Sequence, residues 1–398
     1  KLFLNLINRG NMRKNVTKLV TAEGLVMTDP QDILIEQVKF FSDLYSFKES
    51  PMSLESDTFK YFFPDPPHVS LSIDQRDSCE GEITEKELKE SIESFSSGKA
   101  PGLDGLPVDF YRVFYKYLKK PMLDSFNFSY RTGHLTDTQK SGLITLLLKQ
   151  DSTGQDKDLS HIKNWRPLTL LNCDSRILSK CIALRIKQII PNLISYDQTG
   201  FLQGRCISDN IRRILEIIEY YERNDLPGLI FVADFEKAFD TIRLDFIFKT
   251  LEYFGFGAGL IDWIRVLYKD ISSKVINYGH ISHPFMLSRG VRQGCPLSPY
   301  LFILGVELLA NKIRNNIGIE GLTTYGIESK ISQYADDSNF PLAPKLGSLY
   351  SLVKDLEDYS LLSGLIPNFD KCKIKRIGSL KGTHFYLPCP LPIQWTDG

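Results

Sequence analysis

Apolar positions along this chain switch repeatedly between the period of a helix and that of a strand. Thr84-Glu85-Lys86-Glu87 has capping-box form, and Leu88, Ile92 and Phe95 follow at i, i+4 and i+7, which predicts a helix with one apolar face, closed by Gly98. A second helix is expected from Pro107 to Leu118. A third runs from Asp174 to Ile190, where Pro191 stops it, with Ile177, Leu178, Cys181, Ile182 and Ile189 as its buried face. Before it lie two apolar runs, Leu143 to Leu148 and Leu168 to Leu171, that read as partner strands. The connection between them, Lys149 to Trp165, is too charged to be core. Leu229 to Ala233 is an apolar run of buried-strand type that ends on a carboxylate, Asp234. Ile331 to Phe340 reads as strand, tight turn, strand, with Asp336 and Asp337 at the turn. A further helix is expected from about Pro299 to Asn316.

Interleaved helices and strands without an internal repeat predict a mixed α+β class. Phe62-Phe63-Pro64-Asp65-Pro66-Pro67, within Tyr61 to Ser72, is expected to be neither helix nor central strand and reads as a linker. It sets off residues 1–75 as a helical and hairpin N-terminal appendage. A length of 398 residues suffices for two or three lobes. A composition of 42% hydrophobic and 24% charged residues excludes a disordered tail or a fibrous repeat.

Charge changes the picture little: 48 basic residues balance 48 acidic ones, so bulk electrostatics do not announce a nucleic-acid partner. The basic stretches at residues 1–20 and Lys140 to Lys187, and the acidic one at Glu80 to Glu93, read as solvated faces. Seven cysteines form no C-x-x-C pair or Cys/His cluster, which predicts neither a disulfide framework nor a zinc knuckle and suits a reducing compartment. No run of 18 apolar residues and no signal segment is present, so a soluble intracellular protein without a membrane partner is expected. The chain opens on Lys1 and stops after Trp395-Thr396-Asp397-Gly398, and so reads as a fragment of something longer.

The candidate chemistry lies in carboxylates. Taken alone, Asp234 reads as a helix N-cap at a strand end, and Asp-Asp in a hairpin turn is common. Together they suit divalent ions. Hard cations take carboxylate oxygens, and two-metal sites hold ions about 3.5–4 Å apart to clamp the attacking and leaving oxygens of a phosphoryl transfer. Asp234, Asp336 and Asp337 are therefore expected to converge at one sheet edge.

These residues belong to a longer ordered set. Asn164-Trp165-Arg166-Pro167 with Leu170-Leu171-Asn172 comes first, followed by Gln198-x-Gly200-Phe201, Gly204-Arg205 and Asp209-Asn210-Ile211. Asp234 with Phe239, Arg289-Gly290-Val291-Arg292-Gln293-Gly294-Cys295-Pro296-Leu297-Ser298-Pro299 and Tyr334-Ala335-Asp336-Asp337 come next. Ser363-Gly364-Leu365 and Asn368-x-x-Lys371 close the series. In this order they resemble the boxes of reverse transcriptases, specifically those of non-LTR (LINE-type) retrotransposons, over nearly the whole chain. Residues 1–50, with Phe3-x-Asn5-Leu6 and Phe41-x-x-Leu44-Tyr45, are similar to the segment that joins an upstream endonuclease to the polymerase in such elements. Trp395 would lie just before the strand that leads to the thumb.

The resemblance implies a right-hand polymerase fold: N-terminal appendage 1–75, fingers 76–200, and a palm 201–398 with an antiparallel sheet, truncated before the thumb, the reverse transcriptase domain covering about 130–398. It implies RNA-directed DNA polymerase activity: an RNA template, a DNA primer, dNTPs, two Mg2+ ions (with Mn2+ as a substitute) and retrotransposon copying by target-primed reverse transcription. Catalysis would fall to Asp234, Asp336, Asp337 and Lys371, and metal binding to the three aspartates with Phe235. The nucleotide would be bound by Arg166, Lys149, Phe235, Phe239, Gln293 and Gly294, with Phe239 as the gate against a ribose 2′-hydroxyl. By residue type alone Phe239 reads as a core aromatic, Lys149 as a solvated lysine, and Lys371 with Lys373, Lys375 and Arg376 as a phosphate-tracking patch. The family further implies residence in nucleus and cytoplasm. The rivals are a nucleic-acid-binding module with an idle palm and a group II intron type reverse transcriptase; the similarity of residues 1–50 speaks against the latter.

Overall fold

The computed structural model describes residues 15–21, 23–47, 57–150, 154–388 and 392–397. The Phe3-x-Asn5-Leu6 segment and Cys389 lie outside the described residues. The chain divides into two compact units, 1–48 with 80–184 and 258–298, and 49–79 with 185–257 and 299–398.

In the first unit a short hairpin, Leu19–Val20 with Val26–Met27, precedes the helix Pro30–Tyr45, whose N-cap Asp29 accepts the Gln31 and Asp32 N–H groups. Ser141–Leu148 and Trp165–Leu171 form the expected antiparallel pair, with Leu143 opposite Leu170. Ser272–Asn277 then adds in parallel on the other side of Ser141–Leu148. The capping box at Thr84 and Glu87 is present and opens the helix Glu85–Glu93, with Leu88 and Ile92 buried.

That helix stops well before Gly98. The Arg112 guanidinium, arriving from another helix, donates to the carbonyls of Ile92 (3.2 Å) and Phe95, satisfying the open helix end. The expected helix Pro107 to Leu118 is two helices, Val108–Val113 and Tyr115–Thr132, separated at Phe114. Glu80, read as part of a solvated acidic face, instead accepts the Gly259 and Leu260 N–H groups at 2.8 and 3.0 Å, at the start of the helix Ala258–Tyr268. A carboxylate there answers both the orphan donors and the helix dipole.

The second unit is built on a five-stranded sheet, in spatial order Ser332–Tyr334, Asp337–Leu342, Pro227–Ala233, Lys373–Gly378 and Gln394–Asp397. It is antiparallel except at the last edge, where Gln394–Asp397 runs parallel to its neighbour, so Trp395 lies within a strand. Its central strand reads Gly-Leu-Ile-Phe-Val-Ala and is buried almost throughout, with Phe231 against Phe340. Phe62 closes a helix, Asp57–Phe62, rather than starting a linker. Phe62 packs on Tyr359 and Phe63 on Phe246 and Tyr253, which gives this Pro-rich stretch an apolar anchor in the core. Among the described residues no helix is long and apolar enough to cross a membrane.

Candidate active site

The central strand of the second unit delivers Asp234 to the end of the sheet. The antiparallel ladder ends where Ser338 pairs with Ala233, so Asp337 and Asp234 are the residues next to its last pair. Burial, reinforced by the Asp234 charge, pushes the Asp337 carboxyl above the usual carboxylate range. Asp336 occupies the turn beside it, since Tyr334 pairs with Asp337 and leaves only Ala335 and Asp336 between the strands.

Lys371 reaches the same carboxylate: its Nζ lies 3.0 Å from Asp234 Oδ2. The backbone explains how. Asn368 N–H donates to the Asp234 carbonyl at 2.7 Å, Glu236 N–H donates to Ile366 at 3.0 Å, and Phe235 bridges to Pro367. The Asn368-x-x-Lys371 box is thus laid against the residues that follow the central strand. Of the basic run, Arg376 is withdrawn from the surface, because the strand Lys373–Gly378 buries it beside Asp397 (Nε to Oδ1, 2.9 Å), while Lys371 and Lys373 are both exposed.

Two acids held side by side, with a cation already on one of them, have the donor chemistry of a divalent-ion site. Among the described residues no three His, Cys, Asp or Glu side chains stand close enough together to hold one ion between them. The structure therefore brings together Asp234, Asp337 and Lys371, with Asp336 one position away.

Phe239 sits just after Lys237, which takes a left-handed backbone (φ 49°) and starts the short helix Ala238–Thr241. Its half-buried ring stacks on Phe302 (centroids 4.2 Å apart) and meets Phe201 edge-on. Phe201 belongs to the Gln198-x-Gly200-Phe201 box, so a second motif contributes to the setting of the candidate gate. Arg205 of the Gly204-Arg205 box works inwards: its guanidinium donates to the carbonyls of Ile194 (2.9 Å), Ser195 and Gln198 (2.8 Å) and braces that segment.

Arg166, Lys149, Gln293 and Gly294 lie in the first unit. Arg166 is exposed on the strand Trp165–Leu171, opposite Leu147. Lys149 donates from Nζ to the Lys163 carbonyl at 3.0 Å. The Gln293 carbonyl accepts the Thr169 N–H at 3.0 Å, fastening its loop to the strand that bears Arg166. Gly294 makes that approach possible: its φ is +109°, and a Cβ there would lie 2.5 Å from the Thr169 carbonyl oxygen.

Sequence patterns did not reveal a buried charge cluster behind the Ser195–Gln198 segment. Arg314 donates to both Asp197 oxygens at 2.7 Å and also to Glu307, which accepts the Ser195 N–H at 3.4 Å. Burial pushes the Glu307 carboxyl up to about 7, although Arg314 draws it down. The native state then keeps a proton that an unfolded glutamate releases near 4.5, so stability from this group is full below 4.5 and is lost as pH rises towards 7. Glu307→Gln is expected to flatten the dependence of melting temperature on pH between about 5 and about 7.5, read by circular dichroism. An unchanged slope would mean that Glu307 is ionised throughout that range in the folded protein.

The family described as reverse transcriptase (RNA-dependent DNA polymerase) matches residues 148–385, which spans both Asp234 and the Asp336-Asp337 turn. The chain belongs to the reverse transcriptases, a family of nucleotidyltransferase enzymes. Its kinship is with those of non-LTR retrotransposons, as its ordered motifs implied. It is 29% identical over 395 residues, 99% of its length, to the transposon TX1 uncharacterized 149 kDa protein of Xenopus laevis. It is 27% identical over 315 residues, 78% of its length, to the retrovirus-related Pol polyprotein from type-2 retrotransposable element R2DM of Drosophila melanogaster. A probable RNA-directed DNA polymerase from transposon X-element of the same fly is 25% identical over 260 residues, 63% of the chain. The chain spans 29%, 28% and 26% of the lengths of these relatives.

Proposed function

We propose that this chain supplies the fingers and palm of a right-hand polymerase that adds dNTPs to a primer 3′-hydroxyl on an RNA template. The biological setting would be retrotransposon copying by target-primed reverse transcription, in nucleus and cytoplasm. The observation that carries the proposal is that the ladder ending at Ser338 and Ala233 brings Asp337 and Asp234 to the same end of the sheet, with Lys371 on Asp234, in a chain of this family. In this reading residues 76–200 are the fingers and 201–398 the palm, after the N-terminal appendage 1–75.

Asp234, Asp336 and Asp337, with the Phe235 carbonyl, would hold two Mg2+ ions, or Mn2+ in their place. Bound there, the ions supply neutralisation of the triphosphate and a lowered pKa for the attacking hydroxyl. Lys371, whose Nζ lies 3.0 Å from Asp234 Oδ2, would hold a proton for departing pyrophosphate. Arg166 presents a planar guanidinium fork suited to triphosphate oxygens, and Lys149 a point charge. Gln293 and Gly294 offer loop backbone to nucleotide and template, while Phe239 screens the sugar.

Primer extension by the full chain on a poly-purine RNA template tests the assignment. Extension that needs Mg2+ and dNTPs supports it; failure of extension with RNA binding retained would favour a binding module with an idle palm. Phe239→Val should raise rNTP incorporation relative to dNTP by about 10–100-fold, because removing ring volume relieves the clash with a 2′-hydroxyl. Unchanged discrimination with a lower melting temperature would leave Phe239 as a core partner of Phe302 and nothing more.

A further inference from the structure

The turn that carries Asp336 and Asp337 has an unusual support. Ala335 adopts a left-handed backbone, φ 55°, that a non-glycine residue takes only when its surroundings over-determine it. The two-residue hairpin turn between Tyr334 and Asp337 calls for that φ, and Gln198, whose side chain is completely buried, holds the residue in it. Its Oε1 accepts the Ala335 N–H at 2.9 Å and the Gly200 N–H at 2.8 Å, and its Nε2 donates to the Ala335 carbonyl at 3.3 Å. One amide side chain thus answers both backbone groups of the strained residue. Gly200 closes the clamp: a Cβ there would lie 2.5 Å from Ala335 N, so only glycine lets this backbone pass.

The clamp is itself anchored. Thr199 N–H donates to the Gln333 carbonyl at 2.9 Å and Gln333 N–H to the Asp197 carbonyl at 2.8 Å, which runs this segment alongside the strand Ser332–Tyr334. Behind it, Arg314 grips Asp197 and Arg205 grips the Gln198 carbonyl.

We propose that Gln198 is a positioning residue for the reaction: through Ala335 it sets the backbone that presents Asp336 and Asp337 to the metal ions, with Gly200 as the space it needs. The proposal rests on the assignment of the acids as metal ligands. The physical case is that an αL alanine relaxes once its N–H and carbonyl lose their partners, and a relaxed turn moves the carboxylates that follow it.

Mn2+ binding to the full chain, read from the free-ion electron paramagnetic resonance signal, tests this without relying on turnover. Gln198→Met keeps the volume and loses all three hydrogen bonds; it should raise the half-saturating Mn2+ concentration about tenfold. Gly200→Ala, with Gln198 intact, should shift it in the same direction by forcing the turn outward. Ile217→Ala, in the apolar cluster of Tyr221, Ile230, Leu322 and Ile377, serves as a control for general destabilisation and should lower the melting temperature with Mn2+ binding unchanged. Gln198→Met that melts earlier yet binds Mn2+ as wild type does, or Ile217→Ala that weakens Mn2+ to the same degree, overturns the positioning role alone. If wild-type binding is absent, or survives Asp234→Asn, the metal assignment itself falls and the proposal falls with it.

Discussion

Asp234→Asn is expected to lower primer extension by about a thousandfold or more, with the fold retained. The amide is nearly isosteric, so the strand Pro227–Ala233 and its pairing should persist, while the site loses the charge that Lys371 contacts and that the proposed divalent ions would need. Two accompanying signs are specific to this geometry. Asp337 should titrate lower in the variant, since the neighbouring charge that helped to raise its carboxyl is gone. Lys371, freed of its partner at 3.0 Å, should not restore activity when it is replaced by Met in the same background. Measured single-turnover extension and carboxylate titration by nuclear magnetic resonance check both; a loss of less than tenfold would remove Asp234 from the chemistry.

Trp263→Ala should give the largest loss of stability. The indole is fully buried in the helix Ala258–Tyr268, stacks on Tyr130 with ring centroids 4.5 Å apart, and donates from Nε1 to the Gly81 carbonyl at 3.0 Å. Truncation leaves a cavity costing about 3–5 kcal/mol and weakens the bonding of the Gly81 carbonyl at about 1–3 kcal/mol more. A fall in melting temperature of roughly 10–20 °C follows for a unit of this size. Trp263→Phe keeps an aromatic ring against Tyr130 and loses the hydrogen bond, so it should fall between Ala and wild type in a calorimetric scan. Equal melting temperatures for all three would mean that the first unit does not limit the stability of the chain.

Much of the fold was legible because its signals are local. A capping box is written within four residues, and Thr84 with Glu87 behaves as expected. The buried face from Ile177 to Ile189 follows from helical spacing, and the helix Cys173–Ile189 buries those positions. The paired strands at Leu143 to Leu148 and Leu168 to Leu171 announce themselves by apolar runs that need a partner. Helix ends were less legible, since the carbonyls that Arg112 satisfies belong to residues 17 and 20 positions away from it.

The family was written in the order of the motifs, from Asn164-Trp165-Arg166-Pro167 to Asn368-x-x-Lys371, and the acids Asp234, Asp336 and Asp337 stood out because carboxylates end an apolar strand and fill a hairpin turn. What supports those acids is set by contacts between segments far apart in the chain. The last ladder pair before those acids, Ser338 with Ala233, joins positions 105 apart, from 338 − 233, and no periodicity encodes a register between distant strands. Gln198 and Arg205 were visible as motif letters, yet their work is hydrogen bonding to the backbone of other residues, and a backbone carbonyl or N–H carries no sequence signature. Glu80 makes the same point, since an acidic run reads as solvent-facing until a helix N-terminus almost 180 residues away, offering N–H groups at 2.8 and 3.0 Å, is folded against it.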